Sequence, residues 1–386
     1  MAMKRDWANL DSLALNVILE KLIEPIDHIW FGSVCKNWHS IANLNHQYNH
    51  QFRGNILPML MIPIENTSPE KRSLYSVLAN RVYPFELTML YKQRCCGSSY
   101  GWLATIDEEE VITWVNPFKD VAPIILPWIN IYNRYKNYPE FNVHKVTLSA
   151  DPISSPNDYV VAAIYTTCGC LAFMKAGQKF WTYIDKTHHR GFIDVTFYKG
   201  LVYAVNRRKT IVSFDLCYSS DPKGNNMKTP NVLLQGGIHE TYSPLTYLVK
   251  SLEGELWMVR RFVTIDDQGN NKGTHSLHVF KLEFDDKGQK LLGLTKLDSL
   301  GDNILFVGDN DPVSVSASYF SKYLQKDSIY YSDNYFDDEP VCYPQGPFDL
   351  GIYNVKDERF GIHCPYKAYF KGKAPPIWVV PPFRWS

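Results

Sequence analysis

Five times along this chain a short alternating apolar run is followed, after a turn, by a second one. The pairs are GWLATI (101–106) with VITWVNP, GCLAFM (169–174) with KFWTYID, and GLVYAV (200–205) with TIVSFDL. GELWMV (254–259) with LHVFKLE and DSIYYS (327–332) with DLGIYNV complete the set. A side-chain period of two over five or six residues marks a strand. In GLVYAV, Leu201, Tyr203 and Val205 point one way and Val202, Ala204 and Asn206 the other. Several joining turns are polar, such as Asp107-Glu108-Glu109-Glu110, Lys175-Ala176-Gly177-Gln178 and Arg207-Arg208-Lys209. A hairpin repeated with uneven insertions is the pattern of a β-propeller. Degenerate copies are expected around 58–90 and 141–165. The spacing leaves the blade number open, and a β-sandwich with long loops is the alternative.

The N-terminal stretch has a different period. Leu15, Ile18, Leu19 and Leu22 recur at helical spacing, with Asp11 or Ser12 placed to cap the helix and Pro25 to stop it and open the next. Val34, Trp38 and Ile41 recur at four and seven in a second helical stretch, with Cys35 beside them. Gly32 inside that stretch predicts a bend, since glycine costs about 1 kcal/mol against alanine within a helix. Helices this short need packing partners.

Charge and cysteine usage exclude several functions. Forty Lys and Arg balance forty Asp and Glu, which argues against a general phosphate-backbone binder. With 25 Tyr, 20 Phe and 10 Trp, the composition leans toward strands. No apolar run approaches the ~20 residues of a bilayer span, and the interleaved charges of MAMKRDWANLDSLALNVILEKL do not suit a signal peptide. The eight cysteines include Cys95-Cys96 and Cys168-Gly-Cys170 but no paired C-x₂-C sites. They are expected to be reduced thiols and not metal ligands.

Other constellations have plain readings. His275 and His278, three apart in a strand, should face opposite ways, a poor metal geometry, and His188-His189 also point apart if extended. DDQGNNKG (266–273), DDKGQ (285–289) and DNYFDDE (333–339) are read as acidic turns, lacking the calcium-loop ligand pattern. NIYNRYKNYPEF (130–141) mixes aromatics with only two cations, Arg134 and Lys136, too few for a strand-binding groove. Cys35 with His39 four residues on would need an activating environment to act as a nucleophile, and its surroundings are apolar.

The segment WANLDSLALNVILEKLIEPIDHIWFGSVCKNWHSIA resembles an F-box over residues 7–42. The matching positions are Trp7, Leu10, Leu15, Ile18, Leu19, Leu22, Val34, Cys35, Lys36, Trp38 and Ala42. Asp11 stands where the family usually has proline, and Ala14 where it has leucine. The body is similar to the domain that follows the F-box in the plant kink-suppressor (KIB) or SKP-interacting group. The segments carrying that similarity are GSSYGWLATIDEE with VNPF, LGDNILFVGDNDPVSVSASYF, SIYYSDNYF with DLGIYNV, and PPIWVVPPF, in the family's order.

The resemblance implies an α plus all-β chain: a small three-helix F-box (5–46), a linker (47–57) and a kelch-like β-propeller of KIB type (58–386). It further implies a substrate-recognition subunit of a Skp–cullin–F-box (SCF) ubiquitin ligase, without catalysis of its own. Leu10, Leu15, Ile18, Leu22, Val34, Cys35 and Trp38 would then meet a Skp-type adaptor, and through it cullin and RING subunits. The propeller would hold an unknown target protein. No cofactor, metal, nucleic acid or membrane enters this reading, and the place of action is the nucleus, the cytoplasm or both. One alternative is an F-box scaffold acting outside degradation. Another is a propeller-based hydrolase, which would need inward carboxylates with raised pKa values, whereas the acids here cluster in turns.

Overall fold

The structure is a computed structural model that describes residues 7–48, 56–63, 71–88, 94–132, 141–184, 190–215, 231–235, 245–265, 271–285, 290–332, 349–364 and 375–381. His188-His189, Arg134, Lys136, DNYFDDE and most of the two other acidic turns lie outside the described residues. The chain divides into two compact units, one of Met1–Leu57 with Pro381–Ser386 and the other spanning Pro58–Val380.

Three helices make the first unit: α1 (Ser12–Lys21), α2 (Pro25–Gly32) and α3 (Lys36–Tyr48), preceded by a short 3₁₀ turn at Trp7–Asn9. Asp11 caps α1 by accepting the amide protons of Leu13 (2.8 Å) and Ala14 (3.4 Å), so an acid in the family's usual proline position has a local structural use. Pro25 occupies the first turn of α2, where its missing N–H costs nothing. The expectation of one bent helix around Gly32 is corrected. Gly32 is the last residue of α2, and residues 33–35 connect it to α3. Val34 and Cys35 therefore lie on no helix.

The second unit contains six sheets. The first joins β1 (Met59–Pro63), β2 (Lys71–Ser76) and β3 (Arg81–Thr88). The second is β4 (Arg94–Ser99), β5 (Trp102–Ile106), β6 (Ile112–Val115) and β7 (Ile124–Ile125). The third is β8 (Val143–Leu148), β9 (Val160–Tyr165), β10 (Cys170–Lys175) and β11 (Thr182–Tyr183). The fourth is β12 (Phe192–Tyr198), β13 (Leu201–Asn206), β14 (Ile211–Asp215) and β15 (Asn231–Leu234). The fifth is β16 (Leu245–Lys250), β17 (Leu256–Ile265), β18 (Asn271–Phe284) and β19 (Leu291–Leu297). The sixth holds β20 (Asn303–Val307), β21 (Val313–Ser316), β22 (Ser328–Tyr331), β23 (Gly351–Asn354) and β24 (Arg359–Gly361). The last strand, β25 (Ile377–Val379), returns to the first sheet and pairs antiparallel with β1, Met59 opposite Val379.

The innermost strands sit side by side in the order β25, β4, β8, β12, β16, β21. That is a six-bladed propeller whose first blade is completed by the last strand, and it sets aside the sandwich alternative. All five expected hairpins are present: β5–β6, β10–β11, β13–β14, β17–β18 and β22–β23. The sixth blade departs from the others. Its chain lays down β20 first, turns inward to β21, then crosses over to β22, which runs parallel to β20.

Interior blades pack on both faces, which is why middle strands such as β9, β10 and β13 are apolar almost throughout. Val202 and Ala204 join Ile164 and Phe173 of the third blade. Tyr203 and Val205, on the opposite face, join Leu248 and Met258 of the fifth. Trp102 and Trp114 fill the seam between the second and third blades. Gly97 lets β4 approach β8, since an added methyl would land on the Val146 carbonyl oxygen.

Candidate docking surfaces and the centre of the ring

The helical unit has an inside and an outside. Leu15, Leu19, Phe31, Ile41 and Ala42 are buried together, and Leu10, Ile18, Leu22 and Trp38 pack partly buried against them. Trp38 is fixed twice: its indole N–H donates to the Trp7 carbonyl at 3.0 Å, and its ring lies 4.5 Å from that of Phe31. Buried His28 ties α2 to the end of α1 through the Leu22 carbonyl, 2.8 Å away.

Of the seven residues expected at an adaptor interface, the structure gathers five into this one cluster. Leu15 is 0% exposed, enclosed by the unit's own core, so in the free head it has no surface to offer a partner. Val34 is exposed and Cys35 half-buried, both in the connection before α3. The exposed large apolar side chains of the described head are instead Leu13, 73% exposed, with Trp7, Val17, Ile29, Trp30, Val34 and Leu44. Leu13 and Val17 are four apart, a second stripe on α1 beside the Leu15–Leu19 one. That spacing was legible but masked by the stronger inner pattern.

The ring centre is charged and hydrogen-bonded. Lys145 on β8 is ion-paired with Asp194 on β12, and its ammonium also donates to the Asn310 carbonyl at 3.2 Å. Asp194 accepts the Leu248 amide proton from β16 at 2.6 Å. Asp311 accepts hydroxyl protons from Ser99 on β4 and from Thr147 on β8, the latter at 2.7 Å. Arg94 donates to the Val143 carbonyl at 2.9 Å and lies 3.5 Å from Asp309. The GDND segment (308–311) thus binds both ends of β4, at Arg94 and Ser99, and β8 through Lys145 and Thr147. Burial pushes both the Asp194 and Asp311 carboxyls up, with Lys145 opposing.

This corrects the expectation that acids lie only in turns. Inward carboxylates with raised pKa values do exist, as a hydrolase would require: Asp194 is buried, Asp311 is half-buried, and both are hydrogen-bonded to their own chain.

A second correction concerns His275 and His278. A β-bulge falls between Phe262↔Ser276 and Val263↔Thr274, which inserts His275 as an extra residue. Both rings therefore meet the Phe262 ring, at 6.1 and 5.1 Å, rather than facing apart. Burial lowers the His278 pKa, with Lys296 and Arg260 adding to the effect. Among the described residues no group of three or more His, Cys, Asp or Glu side chains is placed to hold a metal ion. Burial also pushes the Cys95 and Cys96 thiols up to about 12, so they behave as small hydrophobes. Arg207–Lys209 form the hairpin tip expected of them, with Asn206 accepting the amide protons of Arg208 and Thr210.

A family model described as the KIB1-4 beta-propeller matches residues 74–354. The chain belongs to the KIB1-4 β-propeller family. Two Arabidopsis thaliana proteins are related along nearly their whole length. One, named as an F-box protein, is 24% identical over 92% of this chain and 91% of its own. The other, the F-box protein SKIP23, is 22% identical over 97% of this chain and 95% of its own. Among solved structures, the Myceliophteria thermophila Cps50 (Swd1) β-propeller domain superposes with a TM-score of 0.35 at 12% identity, covering 62% of this chain and 70% of that one. That superposition is too loose to carry an argument about function. The KIB1-4 match begins within β2 and stops within β23, so it spans neither the helical unit nor the closing strand.

Proposed function

We propose that this KIB1-4 propeller protein is a substrate-recognition subunit of an SCF-type ubiquitin ligase. Residues 5–46 would be the F-box, 47–57 the linker and 58–386 the receptor domain. The head docks a Skp-type adaptor, which brings cullin and RING subunits, and the propeller holds a target protein in the nucleus or cytoplasm. The chemistry belongs to the partners. The receptor contributes proximity, raising the effective concentration of target lysines near a charged ubiquitin carrier.

One observation carries this reading. The head already has a complete small core, yet it keeps Leu13, Val17, Ile29, Trp30 and Val34 exposed on its outside. Exposed apolar side chains on a unit whose core is already complete support an interaction site there, and relatives named as F-box proteins support an adaptor as its partner. Burying each large side chain contributes roughly 1.5–3 kcal/mol, and association costs offset part of the sum.

The test is co-purification with a plant Skp-type adaptor, comparing the native chain with Leu13→Asp/Trp30→Ala. Capture should be lost while the propeller unfolds at the same denaturant concentration. Equal capture of both versions would falsify the docking assignment. A scaffold outside degradation is separated by adding cullin, RING and carrier enzymes: it would bind the adaptor but support no ubiquitin transfer.

A further inference from the structure

The third blade carries two cysteines around one glycine, Cys168-Gly169-Cys170, at the turn between β9 and β10. Neither is in a disulfide. Cys170 opens β10 opposite Tyr165 and is 1% exposed, while Cys168 is half-buried on the turn itself. Both belong to one apolar cluster, and Tyr132 packs there with them. The Tyr132 hydroxyl and the Cys170 thiol share a hydrogen bond of 2.9 Å. Burial leads in pushing the Tyr132 phenol up, with Cys170 and then Cys168 adding to it, so one hydroxyl has both sulfurs as neighbours. Cys95 and Cys96, by contrast, are both buried.

The turn keeps the pair close. Two residues of extended chain reach at most about 7 Å, and Gly169 shortens that span by bending at a φ of +60°. This brings the two main-chain positions toward the separation of about 4.4–6.8 Å that a disulfide bridges. The turn is also tied to its surroundings. The Gly191 and Phe192 amides donate to the Cys168 and Gly169 carbonyls at 2.7 and 2.9 Å, where β12 begins. The Thr166 amide donates to the Asn142 carbonyl at 2.7 Å, just before β8. An added methyl at Gly169 would strike the Phe192 main chain. A change in the turn is therefore felt at the starts of two innermost strands.

We propose that Cys168 and Cys170 form a thiol–disulfide switch, in which Cys168 meets a small disulfide such as glutathione disulfide and Cys170 resolves the adduct. The Cys168 thiolate attacks one sulfur of glutathione disulfide; a new S–S bond joins Cys168 to one glutathione, and the other leaves as a thiolate that takes up a proton. Cys170 gives its proton to solvent, and its sulfur displaces the second glutathione from Cys168. Two protein thiols become one disulfide, and one glutathione disulfide becomes two thiols. The Cys170 sulfur moves from Tyr132 toward Cys168, and the turn's hold on Gly191 and Phe192 adjusts. The switch stands independently of the ligase reading.

The test equilibrates the full chain at about pH 8 with glutathione and its disulfide in graded ratios. Samples are quenched in acid and alkylated in denaturant, and the peptide carrying residues 168–170 is weighed. It should pass from two labels to none in one step, losing two hydrogens and keeping no glutathione, and dithiothreitol should restore both labels. Cys95 and Cys96 should keep theirs throughout. Cys170→Ser should stop at a single glutathione on Cys168, and Cys168→Ser should leave Cys170 labelled. Oxidation should speed amide exchange at Gly191 and Phe192 in the native chain but not in Cys168→Ser. Two labels at every ratio, a lasting glutathione adduct in the native chain, a disulfide joining two chains, or exchange unchanged by oxidation would each overturn the switch. The native-chain readings decide it even where a serine variant fails to fold.

Discussion

Arg261 and Asp349 form the buried cross-link of the fifth and sixth blades, the guanidinium donating to the carboxylate at 2.7 Å. The same side chain, wholly enclosed, also donates to the Asp349 carbonyl at 3.0 Å and the Ser332 carbonyl at 2.8 Å. One residue therefore holds both chain ends that flank residues 333–348. Its face lies 4.5 Å from the Tyr331 ring centre, and Tyr247 and Thr274 accept its remaining protons. Arg261→Met strands a buried carboxylate and should cost about 3–5 kcal/mol, read as a lower urea midpoint. A loss under about 1 kcal/mol would mean the blades are held by apolar contact alone.

The same pair sets a pH dependence. Burial alone would raise the Asp349 carboxyl, but Arg261 and the Thr274 hydroxyl hold it below its ordinary value. A carboxyl depressed in the folded state stabilises fully above its unfolded pKa, about 4, and loses that contribution as pH falls through the folded value. Asp194 and Asp311, raised by burial, work in the opposite sense: their contribution is complete below about pH 4 and erodes as pH rises. Subtracting Asp349→Asn from the native chain isolates the first effect. The gap between their urea midpoints should be widest at neutral pH and close below about pH 4; a gap constant with pH contradicts it.

At the ring centre, Lys145→Met should cost about 3–5 kcal/mol, because Asp194 keeps its burial and loses its counter-ion. Lys145→Met/Asp194→Leu should recover much of that, since two apolar groups need no partner there. The double-mutant cycle measures the coupling directly. If the double variant is no more stable than the single one, the Asn310 and Leu248 contacts matter more than the ion pair.

How much of this was legible in the sequence follows from which strands have a pattern. Clean alternation and turn punctuation made five pairs recognisable: the second and third strands of three blades (β5–β6, β13–β14 and β17–β18) and the third and fourth of two (β10–β11 and β22–β23). The innermost strands were not. RCCGSS (94–99) and VHKVTL (143–148) mix polar with apolar residues because they line a hydrogen-bonded axis. β25 is only three residues long, and no local signal says that it closes the ring on β1. The parallel pairing of β20 with β22 comes from a crossover of one blade, invisible to periodicity. In the head, one stripe was found and its direction was not: Leu15 and Leu13 are equally apolar, and only the fold says which faces in.

Gly97 tests the ring's tightness. Alanine there would press on the Val146 carbonyl, main chain that cannot turn aside, so β4 and β8 would have to separate. Gly97→Ala should destabilise the propeller by at least about 2 kcal/mol and increase amide exchange in both strands. Unchanged exchange would show that the axis has slack.

The contrast between Leu13 and Leu15 separates packing from docking within one turn of α1. Leu15→Ala opens a cavity among Leu19, Phe31, Ile41 and Ala42 and should cost the head about 2–5 kcal/mol, seen as faster amide exchange across all three helices. Leu13→Asp, on the outside, should shift head stability by no more than about 0.5 kcal/mol, because Leu13 touches little of its own chain. Adaptor capture should fall in both, for different reasons: in Leu15→Ala it should return as temperature is lowered and the helices reform, and in Leu13→Asp it should not. If Leu13→Asp is captured as well as the native chain at every temperature, the exposed stripe is not where the adaptor sits, and the partly buried Leu10, Ile18, Leu22 and Trp38 must open to meet it.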